Sequence, residues 1–133
     1  MMKILKAGGS PSSKAPATQF SGTVRRDGLV QVDASSRLAC GTVTFEPGGR
    51  TAWHTHPAGQ LLIITAGCGW VQCEGEPRQT VTPGDSVWFP ADVKHWHGAT
   101  STTAMTHIAV TENVDGSAVT WLEHVTDEEY QAG

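Results

Sequence analysis

Basic residues are scarce in this chain. Nine Lys and Arg stand against 13 Asp and Glu over 133 residues, a formal net charge of -4. The few cations form no cluster, and phosphate backbones are held by concentrated Lys and Arg, so nucleic acid is not an expected partner. Long apolar runs are also missing, and nothing approaches the roughly 20 residues of a membrane-crossing helix. The opening run Met1-Met2-Lys3-Ile4-Leu5-Lys6 has too short an apolar stretch for a signal peptide. Cysteine is limited to Cys40, Cys68 and Cys73. An odd number without a Cys-x-x-Cys pair argues against both a disulfide framework and a zinc ribbon. Reduced thiols, and with them a cytoplasmic location, are the expectation. There is no internal repeat and no sign of a second domain, and the length suits one core.

What the chain has instead is turn chemistry, with 15 Gly and seven Pro. That richness predicts many short strands joined by tight turns. Residues 1–19 read as an N-terminal arm or loop and residues 20–133 as a single domain. Strands are expected at Phe20–Arg26, Leu29–Val32, Leu38–Glu46, Gln60–Thr65, Trp70–Glu74, Arg78–Val81, Ser86–Phe89, Thr103–Thr111 and Val119–Val125. Trp70–Glu74 should pair with Gln60–Thr65 across the Ala66–Gly69 turn. Thr126 followed three residues later by Glu129 is a capping box that opens a short C-terminal helix. The result is an all-β antiparallel sandwich or barrel.

The chemistry is concentrated between Gly48 and Gly67. His54 and His56 are one residue apart, so on an extended strand both imidazoles point to one face. Pro57-Ala58-Gly59 is a turn that brings Gln60 back beside them. Two imidazoles and a third polar group make most of a metal shell. His95 lies on a second turn, after Gly84 and Pro90.

With these residues in view, the chain resembles the cupins. Gly48, five residues, His54-x-His56, three residues, Gln60, six residues and Gly67 follow the first cupin motif. Gly84, five residues, Pro90-x-Asp92, two residues, His95, three residues and Ala99 follow the second. Asp92 replaces a turn glycine, Ala99 replaces an asparagine, and Gln60 stands where most cupins place a metal-binding glutamate. Thr51–Pro57, Thr65–Trp70, Lys94–Ala99, Thr102–His107 and Glu123–Glu128 are similar to the bacterial manganese-dependent hydroxynitrile lyases of that superfamily. The resemblance implies a single-domain jelly-roll barrel. It implies a divalent metal held by His54, His56, His95 and Gln60, with manganese first and iron, nickel or zinc as alternatives. It further implies reversible cleavage of a small cyanohydrin to aldehyde and cyanide, in a homodimer or homotetramer.

A neutral amide among the ligands leaves the ion its full charge, which favours developing anions. The reaction also needs a base. His107 is the first candidate, because a histidine is otherwise out of place mid-strand among apolar residues, and His97 is the second. Thr51 and Thr44 are candidate hydroxyl donors to substrate. His124, Asp85 and Asp92 read as structural or turn residues. The competing functions are a cupin dioxygenase or other metal-dependent cupin enzyme, and a non-catalytic ligand-binding cupin.

Overall fold

Gly and Pro cut the chain into short pieces, and the pieces pair. The computed structural model describes residues 1–132. Its strands are β1 (Ser13–Lys14), β2 (Phe20–Ser21), β3 (Val24–Gln31), β4 (Leu38–Phe45), β5 (Arg50–Thr51), β6 (His54–Thr55) and β7 (Gln60–Gly67). They continue as β8 (Gly69–Cys73), β9 (Gln79–Val81), β10 (Ser86–Phe89), β11 (His95–Ala99), β12 (Met105–Glu112) and β13 (Thr120–Trp121), followed by the helix α1 (Asp127–Ala132). One sheet has the order β1-β3-β4-β12-β7-β10. The other has the order β13-β6-β11-β5-β2, with β8 also on β11 and β9 on β8. The two antiparallel sheets enclose one interior. This is the expected all-β jelly-roll barrel with its short C-terminal helix.

Register decides what faces inward. Val43, His107 and Ile64 are direct cross-strand neighbours on β4, β12 and β7, so their side chains share a face. Val24, Phe45, Leu62 and Met105 complete that side of the buried core. The other face of the same sheet points away from the barrel. There Trp88 and Val110 flank Leu61, and Ile108 lies opposite Ile63.

The strand from Gly69 to Cys73 departs from the sequence reading. It pairs with β11 and β9, not with β7. Both edges of β7 are taken, by β12 and β10. The chain therefore crosses to the other sheet at Gly67, where φ is 76° and a Cβ would run into the Ala104 carbonyl, so that only glycine fits. The two expected strands before residue 32 also rearrange. A break after Ser21 is followed by one long β3, which carries an irregularity between Asp27 and Val30 around Gly28. Val119–Val125 narrows to β13, where only Thr120 and Trp121 register with Thr55 and His54.

The helix begins as the capping box requires. The Thr126 N–H donates to Glu129 Oε1 at 3.0 Å and the Glu129 N–H donates to Thr126 Oγ1 at 3.1 Å. Its buried residue, Tyr130, packs with Trp53, Trp96 and Val125 on the outside of the second sheet. The Tyr130 hydroxyl donates to the Ala99 carbonyl at 2.6 Å. Arg50 Nη2 donates to the Val125 carbonyl and to Asp127 Oδ1, at 2.8 and 2.9 Å. Among the described residues, no helix is long and apolar enough to cross a membrane.

Candidate metal centre

Four elements deliver the site. His54 on β6 and His95 on β11 are paired in register, which sets their rings side by side with centroids 4.3 Å apart. His56 follows two residues after His54, and its ring lies 4.9 Å from His54 and 5.4 Å from His95. The turn after it depends on Gly59 at φ 80°, whose N–H donates to the His56 carbonyl at 3.2 Å. Gln60 then opens β7 in the opposite sheet and enters the same interior. The left-handed Asp92, at φ 61°, clamps this loop by donating its N–H to the His56 carbonyl at 2.9 Å. His54, His56, Gln60 and His95 are all buried.

The three imidazoles are oriented alike. His54 Nδ1 donates to the Ala52 carbonyl at 2.8 Å, His56 Nδ1 to the Ala118 carbonyl at 2.7 Å, and His95 Nδ1 to the Val93 carbonyl at 2.8 Å. A carbonyl only accepts, so each Nδ1 carries the ring proton and each Nε2 is left as a lone pair. His56 Nε2 is buried without a partner. Gln60 Oε1, also an acceptor, lies 3.1 Å from His95 Nε2. Acceptors gathered in a buried space repel one another unless a cation lies between them. This donor set therefore fits a divalent metal. No Asp or Glu is among the buried polar side chains of the described residues.

Burial also sets the charge state. It pushes the His95 pKa down to about 4 and those of His54 and His56 below the usual imidazole range, with neighbouring imidazoles adding to the effect at His54. Neutral imidazoles are the form that binds metal. The ring nitrogens of His54, His95 and His97 lie within 4.8 Å of one another. By distance alone His97 joins the group ahead of His56. The hydrogen bonds separate their roles, because His56 has its Nδ1 tied to a carbonyl and His97 does not.

His97 Nε2 lies 3.2 Å from Gln60 Oε1, and His97 Nδ1 lies 2.9 Å from His107 Nε2. Both residues are buried, and burial lowers both pKa values, that of His107 to about 4. Phe45 packs against both rings. Thr51 is buried beside them, and its hydroxyl accepts the His97 backbone N–H at 3.3 Å. Thr44 is elsewhere. Its hydroxyl bonds Thr106 at 3.1 Å on the outer face, because alternation along β4 turns it away from the interior that Val43 and Phe45 line. His124 lies outside the site, near Ser21.

Sequence reasoning had no means of finding the carbonyls of Ala52, Val93 and Ala118, since any residue supplies one. It also missed Phe89, which stacks on His95 at 3.8 Å, and Trp121, 4.8 Å from His54. The only signal for either was an apolar aromatic on a strand.

Comparison with known proteins places this geometry. The cupin domain model matches residues 41–111. An (R)-mandelonitrile lyase of Granulicella tundricola is 58% identical over 130 residues, covering 98% of this chain and 99% of that protein. A cupin-like protein from Thermotoga maritima superposes with a TM-score of 0.85 at 37% identity, covering 98% of this chain and 96% of that one. The polyketide cyclase RemF from Streptomyces resistomycificus shares the fold at 15% identity, with a TM-score of 0.76 over 98% of this chain and 92% of its own.

Proposed function

The chain belongs to the cupin family, and we propose that it is a metal-dependent hydroxynitrile lyase, cleaving cyanohydrins to aldehyde and cyanide and catalysing the reverse addition. The near-full-length identity with an (R)-mandelonitrile lyase carries this reading. The buried, carboxylate-free cluster of imidazoles supports it.

His54, His56 and His95, each with its Nδ1 tied to a carbonyl, and Gln60 would hold the ion. A divalent ion there supplies Lewis-acid stabilisation of developing negative charge on the substrate oxygen, worth several kcal/mol, and needs no redox change. Imidazole and amide donors suit several divalent first-row metals, of which we take manganese first. His97 takes the hydroxyl proton. Its Nε2 faces Gln60, whereas His107 reaches the centre only through His97. As that proton leaves, the bond to the nitrile carbon breaks, its electron pair departs with cyanide, and the carbonyl forms. The proton then passes from His97 to cyanide. Thr51 offers its O–H to the substrate, and Phe45, Phe89, Trp121 and Leu62 make an apolar wall for an aromatic or aliphatic aldehyde. The three free thiols suit a reducing cytoplasm.

The test is release of benzaldehyde from mandelonitrile by protein loaded with manganese. Release above buffer is expected from the wild type and loss of it, with loss of bound metal, from His54→Ala. A fully loaded wild type that releases none would exclude this function.

A further inference from the structure

A cyanohydrin has to reach a centre whose residues, His54, His56, Gln60, His95 and His97, are all buried. The barrel is thinnest along one seam. The first sheet ends at β10, which is bonded only along β7. In the second sheet β9 covers β8 only from Gly69 to Val71, so the outer edge of β8 beyond Val71 carries no strand. These two edges do not pair with each other, and a cleft of about 160 Å3 lies between them. Its walls are Val71 and Cys73 from β8 and Val87 and Phe89 from β10.

Register sets how near this cleft comes to the centre. Cys73 is the cross-strand neighbour of His95, and Val71 of His97. Phe89 is the neighbour of Gln60, and Val87 of Leu62. Directly paired residues share a face, so all four walls point inward with the site residues. The cleft is one strand from the centre in each sheet, a spacing of about 5 Å. Phe89 is the partition. Its ring stacks on His95, with centroids 3.8 Å and planes 14° apart, and it also lines the cleft.

The chemistry of the cleft selects what passes. Val71, Val87 and Phe89 are apolar, the Cys73 thiol is nearly so, and the exposed Glu76 and Gln79 belong to its rim. No Lys or Arg lines it, so an anion gains nothing there. An apolar cavity of about 150 Å3 takes up benzene, so one six-membered aromatic ring is the size that fits.

We propose that this cleft is the passage by which an aromatic cyanohydrin enters and its aldehyde leaves, with Phe89 as the gate and a specificity-determining residue. Phe89 ends β10, and Pro90 behind it has no N–H to bond. With β10 bonded along one edge only, its end yields at the cost of few hydrogen bonds. Val87 sets the width of the passage further along the strand. This deepens the lyase reading and rests on it.

The experiment uses the full chain. Benzyl alcohol, an unreactive aromatic carbinol, is titrated into zinc-loaded wild type and followed by amide proton–nitrogen spectra. Val71, Cys73, Val87 and Phe89 should shift. Shifts confined to other residues, such as the Val114–Ala118 loop beside His56, would overturn the inference, and this readout needs no turnover. Val87→Trp then narrows the cleft and Val87→Ala widens it. The ratio of kcat/KM for a naphthyl cyanohydrin to that for mandelonitrile is blind to losses that both substrates share. It should fall at least about fivefold in Val87→Trp and rise by about as much in Val87→Ala, with manganese affinity within about threefold of wild type in both. Phe89→Leu, which shortens the gate, should raise it too. A ratio unchanged in both Val87 variants, each with its metal bound, would sink the passage, and one unchanged in Phe89→Leu would remove the gate. A metal-loaded wild type that turns over no cyanohydrin would instead end the lyase reading, while the benzyl alcohol titration still reports on the cleft.

Discussion

Gln60 separates this centre from a carboxylate-bearing one by a single neutral side chain. An amide oxygen coordinates without cancelling charge, so the ion stays more electropositive and is held less firmly. Gln60→Glu is therefore expected to tighten manganese binding by about tenfold or more and to lower kcat for mandelonitrile cleavage by about tenfold. Calorimetric titration and steady-state assay check the two halves; weaker binding or faster turnover would contradict the charge argument. The buried imidazoles also make the metal-free protein sensitive to acid. Burial depresses their folded-state pKa values below the ordinary 6.5, to about 4 for His95 and His107. Between those values the unfolded chain binds more protons than the folded one. Stability is thus complete above pH 6.5 and declines as pH falls toward 4. Urea midpoints at pH 7, 5.5 and 4.5 should fall in that order, and saturating manganese should displace the decline to lower pH, because protons compete for the same nitrogens. A flat profile without metal would show that these rings are not neutral by burial.

At the level of elements, the site depends on turns more than on strands. The loop between β6 and β7 carries His56 out of one sheet and Gln60 into the other, and Gly59 makes the reversal. Its φ is 80°, and a Cβ there would crowd the Trp88 ring and come within 2.8 Å of the Phe89 carbonyl. Gly84, at φ 95°, shares the left-handed backbone but faces open space. Gly59→Ala should therefore destabilise the protein by more than the roughly 1–3 kcal/mol of left-handed strain, and should also weaken manganese binding by displacing Gln60. Gly84→Ala should cost only the strain and leave the ion where it is. Thermal melts and metal titrations on both variants test this pair. Equal effects on metal affinity would show that the Gly59 turn does not position the ligand.

For the whole molecule, the outer face of the first sheet is the unexplained surface. Leu61, Ile63, Trp88, Ile108 and Val110 lie together there, and Trp88 is 59% exposed. Contiguous apolar area of this kind marks an interface. We propose that two copies pair through it. Light scattering should give at least twice the mass of one chain, and Trp88→Glu with Ile108→Glu should reduce it to one while the metal stays bound, since both side chains face away from the site. A single-chain mass for the wild type would rule this pairing out.

Local chemistry wrote much of this protein legibly. Gly and Pro spacing announced short antiparallel strands, Thr126 and Glu129 announced the helix start, and the spacing of His54, His56, Gln60 and His95 announced a shared centre. Each of these depends on neighbours a few residues apart, or on a motif whose turns are built locally. The pairing of β8 was not legible, because it depends on which edges of β7 other strands occupy. The outward turn of Thr44 depends on register, and the support of His56 by the Ala118 carbonyl depends on a backbone group with no side-chain signature. The approach of His107 Nε2 to His97 Nδ1, 2.9 Å between strands ten residues apart, is decided in the same way. Such contacts exist only once two sheets have closed on one another, since only closure removes the water that would otherwise satisfy every one of these groups.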